Sequence, residues 1–280
     1  MDISYGIAKD IGLRDSMEDE HAIYARPVKG FFSAEVYDGH GGGRAAVIAA
    51  EMVTPCFLHL WNEELFKNPE EQREIYELLR EACIEVDNFI VGKGVASGTT
   101  LANFYIVHER FFSVNIGDSR VVIGTEDGAC VLTEDHKPDM PGERSRIEAA
   151  GGVVIRFGVY RVQGELAMSR ALGDAHLKPY VIAEPYIVEG CLGKENDYVV
   201  VACDGIWDVM DAKEVMDITR SYGDAQKAAD RIVSTATEYG STDNKTVIVL
   251  DLRRYLEGLR HRKMKIINRI DKVVDIGKLL

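Results

Sequence analysis

The chain has 280 residues, enough for one large domain or two small ones, with 46% hydrophobic and 28% charged content typical of a soluble globular protein. A net charge of −13 leaves no basic footprint for a phosphate backbone, so nucleic acid is excluded as a main partner. Five scattered cysteines (Cys56, Cys83, Cys130, Cys191 and Cys203), odd in number and never spaced CxxC, argue against a disulfide framework and against a zinc site.

Unpaired thiols suit a reducing compartment, so a cytoplasmic location is expected, with the nucleus an option. The N-terminal stretch Met1-Asp2-Ile3-Ser4-Tyr5 lacks a basic region followed by an apolar core, and no secretory signal is expected. No apolar run approaches the roughly 20 residues a membrane-spanning helix needs.

Residues 3–8 and 21–25 read as short strands flanking a polar loop, 14–20, with four acids and Arg14. By itself such a run reads as a solvated turn. Residues 31–37 (FFSAEVY) read as a buried strand, and Asp38-Gly39-His40-Gly41-Gly42 follows it. A carboxylate, an imidazole and several glycines thus sit at a strand-to-helix turn, where glycine lets the backbone approach a ligand. Alone, that turn is read equally well as a glycine turn with a helix-capping Asp. A helix is expected from about residue 43 to 61.

Pro69 and Glu70 are expected to open a second helix. In it Ile75, Leu78, Leu79, Ala82, Val86, Phe89 and Ile90 share one apolar face, read as core packing. Gly92, Gly94 and Gly98 mark its exit. Residues 101–107, 110–116 and 120–125 are closely spaced strands, which argues for antiparallel pairing, and a hairpin around Asp127-Gly128 follows. A short helix over 143–150 ends at Gly151-Gly152. Strand-like pieces fill 153–166, and 169–185 reads as loop and helical turns. Residues 198–203 form an apolar strand ending in Asp204-Gly205. Helices over 211–221 and 223–238, a turn at 241–244 and a strand over 246–252 complete the pattern. The economical fold is a single α+β domain, with helices covering antiparallel sheet.

Acidic residues recur at the tips of apolar strands. Asp38 and Asp204 each follow one, Asp118 lies between two, and Asp243 precedes one. Most Asp residues in such turns are merely solvated. Strand ends can also converge on one rim, where clustered carboxylates repel and need a cation. An all-oxygen ligand set suits Mg²⁺ or Mn²⁺.

Residues 14–19 (RDSMED), 36–42 (VYDGHGG), 97–100 (SGTT), 115–120 (NIGDSR), 135–138 (DHKP), 146–152 (RIEAAGG), 166–174 (LAMSRALGD), 202–209 (ACDGIWDV) and 243–244 (DN) occur in this order. Together they resemble the metal-dependent protein serine/threonine phosphatases of the 2C type, over roughly residues 4–252. The resemblance implies a β-sandwich of two mainly antiparallel sheets flanked by helices, in four layers αββα. It implies two Mg²⁺ or Mn²⁺ ions, with a third bound weakly, and phosphoserine or phosphothreonine proteins as partners of a monomer. Asp38 would bridge the two metals, with the Gly39 carbonyl on one and Asp204 and Asp243 on the other. Glu18 and Asp19 would orient metal-bound waters, and Asp118 and Asp208, with Asp204, match a third site. Arg14 would bind the phosphate, whose geometry suits a guanidinium fork. His40 would be the general acid in an in-line attack by a metal-bridging hydroxide. Thr100 and Asn244 match supporting positions behind the ligands.

Other residues keep plainer readings. Trp207 is read as a core aromatic, and His21, His59, His108, His136, His176 and His261 as surface or structural histidines. Lys245 departs from the family, which more often has an apolar residue there. Its charge either lies near the metals or points to solvent. A non-catalytic phosphatase-like scaffold is the competing reading, but it should lack metal-site acids, and all are present. A two-metal nuclease should bring a basic groove, which the charge does not support. Residues 253–280 carry nine Lys or Arg and three acids, a net +6, with Leu256, Leu259, Ile266, Ile267, Ile270, Val273 and Val274 near helical spacing. Beside the 1–252 domain this segment is read as a basic amphipathic helix docked on the acidic domain, in preference to one binding an anionic membrane surface.

Overall fold

A computed structural model describes residues 3–64, 66 and 72–259. In chain order it has strands β1 (Ser4–Asp10), β2 (Glu20–Ala25), β3 (Phe31–Tyr37) and β4 (Gly39–His40), then helices α1 (Arg44–Glu64) and α2 (Ile75–Gly92). Strands β5 (Gly98–Thr99), β6 (Leu101–Val107), β7 (Arg110–Ile116), β8 (Arg120–Thr125) and β9 (Gly128–Val131) follow. Helix α3 (Pro141–Ala149) leads to β10 (Val154–Phe157), β11 (Val159–Val162), β12 (Leu172–Gly173), β13 (Tyr186–Cys191) and β14 (Tyr198–Ala202). Helices α4 (Asp204–Trp207), α5 (Ala212–Tyr222) and α6 (Ala225–Glu238) precede β15 (Lys245–Asp251).

Two five-stranded sheets are built, β1-β15-β14-β8-β9 and β13-β7-β6-β3-β2. Every named pairing in them is antiparallel, with registers such as Asp10↔Lys245 and Leu101↔Ile116. The four-layer αββα sandwich is therefore as expected. Side chains alternate across each strand and sort into layers. Tyr105 faces Phe31, Phe57 and Leu78 under α1 and α2. Its neighbours Phe104 and Ile106 face Val199, Val201 and Ile248 of the opposite sheet. Val200, Val247 and Val249 turn the other way, onto Met216, Ala228 and Ile232 of α5 and α6. Because β3, β6 and β14 are covered on both faces, every residue in them is buried. They read as continuous apolar runs for that reason.

The expected strands over 101–107, 110–116 and 120–125 stand as β6, β7 and β8. Helix α2 begins at Ile75, with Glu74 and Glu77 forming a capping box. Pro69 and Glu70 lie outside the described residues, so an opening there is not seen. Strand β13 was not anticipated. Among the described residues it pairs only with β7, at a sheet edge, half-exposed and interrupted by Glu189 and Gly190, so it lacks the apolar run of an inner strand. Residues 253–259 are helical, and Tyr255 and Leu256 are buried in the inter-sheet core with Leu259 packed against it. The rest of the expected basic helix, 260–280, lies outside the described residues. Among the described residues no helix is long and apolar enough to cross a membrane.

Candidate active site

The expected acids gather where β3, β7 and β14 end and β15 begins. Asp38 is locked by its backbone. Its N–H donates to Thr100 Oγ1 at 3.1 Å, and its carbonyl accepts from Thr100 N–H at 2.9 Å and Thr99 Oγ1 at 3.1 Å. Thr100 Oγ1 also meets Ser119 Oγ at 2.7 Å, tying the Asp38 turn to the Asp118 turn. Thr100 therefore stands directly behind the Asp38 turn. The Asp118 turn is braced further by buried His136, whose Nδ1 accepts from Gly117 N–H at 3.1 Å. Burial and the nearby Arg170 lower the His136 pKa to about 4, so it is a neutral structural imidazole.

The carboxylates crowd one another. Burial, then Asp204, Asp19 and Asp118, raise the Asp38 carboxyl well above the usual range. Asp204 is pushed up to about 7, by burial first and then by Asp118, Asp208 and Asp243, against the opposing charge of Lys137. Asp19 is buried and raised by that burial, although Thr246 Oγ1 donates to its Oδ2 at 2.7 Å. Its Oδ1 is buried with no partner among the described residues. Ligand-type atoms of Asp19, Asp38 and Cys203 lie within 4.8 Å of one another. An orphaned buried carboxylate oxygen within a ring of mutually repelling acids fits divalent cations.

A cleft of about 480 Å³ opens over this cluster, lined among others by Arg14, Glu18, Asp38, Gly39, His40, Asp204 and Asp243. Arg14 Nη2 is 2.6 Å from Asp243 Oδ2, with the side chain largely exposed. Glu18 accepts from Gly42 N–H at 2.9 Å and Ser16 Oγ at 3.0 Å, so its carboxylate also shapes the glycine turn before α1. Glycine is required at 39, because a Cβ there would stand 2.3 Å from the Glu18 carbonyl oxygen. Asn244 ties the loop before β2 to β15. Its Oδ1 accepts from Glu18 N–H at 2.8 Å, and its Nδ2 donates to the carbonyls of Ile11 at 2.9 Å and Ser16 at 3.0 Å. Asp208 sits at the exposed rim, and Asp118 is buried in an ion pair with Lys137.

Three residues in the site carried no role in the sequence reading. Asp174 Oδ2 is 2.7 Å from His40 Nε2. Lys137 supplies a cation among Asp118, Asp204 and Asp208. Arg161 lines the cleft beside Leu166, Ala167 and Met168. Asp174 and Lys137 both lie in the quoted motifs, LAMSRALGD and DHKP, and that was the available signal. Lys245 does not point to solvent. Its side chain is fully buried, with Nζ 2.9 Å from Asp10 Oδ1. Trp207 is a core aromatic as read, donating from Nε1 to the Ala202 carbonyl at 2.7 Å.

The chain matches the family model for protein phosphatase 2C over residues 3–245. It is 38% identical over 259 residues to "Probable protein phosphatase 2C 11" of Arabidopsis thaliana, covering 88% of this chain and 66% of that protein. It is 36% identical over 259 residues to "Probable protein phosphatase 2C 45" of Oryza sativa subsp. japonica, covering 91% and 88%. It thus spans about two thirds of the first relative's length and most of the second's. Its fold resembles that of a C. elegans sex determining protein, with a TM-score of 0.82 at 26% identity over 90% of this chain and 65% of that one. It also resembles a serine-threonine phosphatase 2C from Toxoplasma gondii, with a TM-score of 0.78 at 24% identity over 89% of this chain and 94% of that one. With the fold and the acid cluster, these matches show that the chain belongs to the protein phosphatase 2C family.

Proposed function

We propose that this chain hydrolyses phosphoserine and phosphothreonine in proteins. The observation that carries the reading is the meeting of Asp38, Asp204 and Asp243 with Arg14 and His40 in one cleft. Mg²⁺ or Mn²⁺ held by Asp38, Asp204, Asp243 and the Gly39 carbonyl would supply an activated water and neutralise phosphoryl charge. Asp118 and Asp208, with Asp204, are assigned to a third, weaker ion.

The chain's own residues do the rest. Arg14 binds the equatorial oxygens of the phosphate and holds phosphorus over the acids. As the bond from phosphorus to the seryl or threonyl oxygen breaks, His40 gives that oxygen a proton, which avoids an alkoxide leaving group. Asp174 holds the imidazole in place through Nε2. The products are the free hydroxyl side chain and inorganic phosphate.

The test is substrate class. Phosphothreonine and phosphoserine peptides with Mn²⁺ should release phosphate, and a phosphodiester or single-stranded DNA should not be cleaved. Cleavage of the diester with no release from the phosphopeptides would overturn the reading in favour of a nuclease.

A further inference from the structure

Two loops must be held in register for the proposed chemistry. One, residues 10–18, carries Arg14 and Glu18, and the other, 242–244, carries Asp243. They lie against each other at the open end of the β1–β15 pair, where Asp10 and Lys245 are direct cross-strand partners. Opposite charges at such a position attract.

Lys245 has no exposed side-chain area, whereas the Asp10 side chain is 47% exposed. The lysine stem runs beneath the turn after Asp204, so that a Cβ on Gly205 would come within 3.3 Å of Lys245 Cγ. Its ammonium reaches Asp10 Oδ1 at 2.9 Å and the Asp243 carbonyl oxygen at 3.3 Å. The same Asp10 oxygen accepts from Gly12 N–H at 2.7 Å. Gly12, at φ +63°, packs so tightly on the second loop that a Cβ would lie 2.2 Å from the Asp243 carbonyl oxygen. Leu13 N–H then donates to the Thr242 carbonyl at 2.8 Å. One buried ammonium therefore joins the turn leading to Arg14 with the backbone of Asp243.

Burying an ammonium carries a large desolvation cost, and one half-exposed carboxylate offsets little of it. The contribution of Lys245 is then geometric. We propose that Lys245, through Asp10 and the Asp243 carbonyl, is a positioning residue that fixes the phosphate-binding loop against the metal-binding turn. The proposal deepens the phosphatase reading and rests on it.

Lys245→Met keeps the stem beneath Gly205 and removes the ammonium, and Asp10 can then turn to water. In the full-length chain the melting temperature should stay level or rise. Backbone amides in 10–16 should exchange with deuterium about 10-fold faster, and Mn²⁺ affinity by calorimetry should fall about 10-fold, the scale seen when supports of metal ligands are removed. KM for a phosphopeptide should rise more than kcat falls. The double variant Asp10→Asn/Lys245→Met, neutral at both ends, should behave alike. Unchanged exchange and Mn²⁺ affinity in both variants would overturn the proposal. So would a sharp drop in melting temperature in both, which would make Lys245 a plain stability residue. Faster exchange in 10–16 in a chain whose wild type releases no phosphate would support the loop assignment and overturn the phosphatase reading instead.

Discussion

His40 and Asp174 show how a side-chain geometry at the cleft is held by residues with little freedom. Asp174 is buried and adopts a left-handed backbone, φ 49° and ψ 48°, which a non-glycine residue adopts only at a cost. Space for the pair exists because residue 98 is glycine. A Cβ there would fall 2.0 Å from Asp174 Oδ2 and 2.5 Å from His40 Nε2. If His40 protonates the leaving oxygen, His40→Gln should lower kcat on phosphopeptides by about 10²-fold or more. It should have little effect on p-nitrophenyl phosphate, whose leaving group needs no proton. Asp174→Asn should show the same selectivity at about 10-fold. Arg14→Ala should impair both substrates, chiefly through KM. Equal losses on the two substrates for His40→Gln would remove the general acid.

A second group belongs to the packing between elements rather than to the cleft. Glu35 on β3 is fully buried beneath α1, and burial pushes its carboxyl up to about 7. Ser33 Oγ donates to it at 2.6 Å and Tyr37 Oη at 2.7 Å, and Thr54 Oγ1 of α1 is a third donor. Asn103 on β6 extends the network by donating to Tyr37 Oη at 2.9 Å and Tyr105 Oη at 3.0 Å. The folded state binds this proton more tightly than the unfolded chain does. Stability from Glu35 is therefore present below about pH 4.5 and is lost as pH rises through about 7. At about 1.4 kcal/mol per unit, the loss amounts to roughly 3 kcal/mol. Urea unfolding at pH 4.5 and 7.5 should show that the wild type loses about that much stability relative to Glu35→Gln. Parallel pH dependence in the two proteins would contradict the assignment.

The elements also show what could be read from the chain alone. Strands covered on both faces, β3, β6, β7 and β14, stood out as apolar runs. Helices α5 and α6 lie where helices over 211–221 and 223–238 were expected, and the structure adds their N-caps, Asp211 and Asp224, which accept from Glu214 N–H and Lys227 N–H. Edge strand β13 and the two-residue strands β4, β5 and β12 carry too little pattern to announce themselves. They exist because neighbouring backbone groups need partners. In the site, the acids at strand ends were legible by position. Asp174, Lys137 and the inward course of Lys245 were not, because each depends on contacts between segments far apart in sequence.

Across the whole molecule, charge is unevenly divided. The 253–280 segment is +6, leaving −19 on the remainder. The described start of that segment docks through Tyr255 and Leu256, and Tyr255 Oη donates to the His108 carbonyl at 2.5 Å. Truncation after Leu252 removes two buried side chains from the inter-sheet core. Each contributes on the order of 1.5–3 kcal/mol. Melting temperature should fall by several degrees while metal-dependent catalysis persists, because among the described residues none beyond Asn244 lines the cleft. An unchanged melting temperature, with only the full-length chain pelleting with anionic vesicles, would make the segment a membrane element.

In the proposed phosphatase, the acids at the sandwich rim hold divalent cations for phosphomonoester hydrolysis. The most direct test is the initial rate of phosphate release from a phosphothreonine peptide, measured against Mn²⁺ concentration on protein first stripped with EDTA. The stripped wild type should be inactive and recover with Mn²⁺ or Mg²⁺. Asp204→Asn, which removes the charge of a proposed ligand, should remain inactive at concentrations that saturate the wild type. Full activity in the metal-free wild type, or a wild-type response in Asp204→Asn, would show that these acids do not hold a catalytic metal.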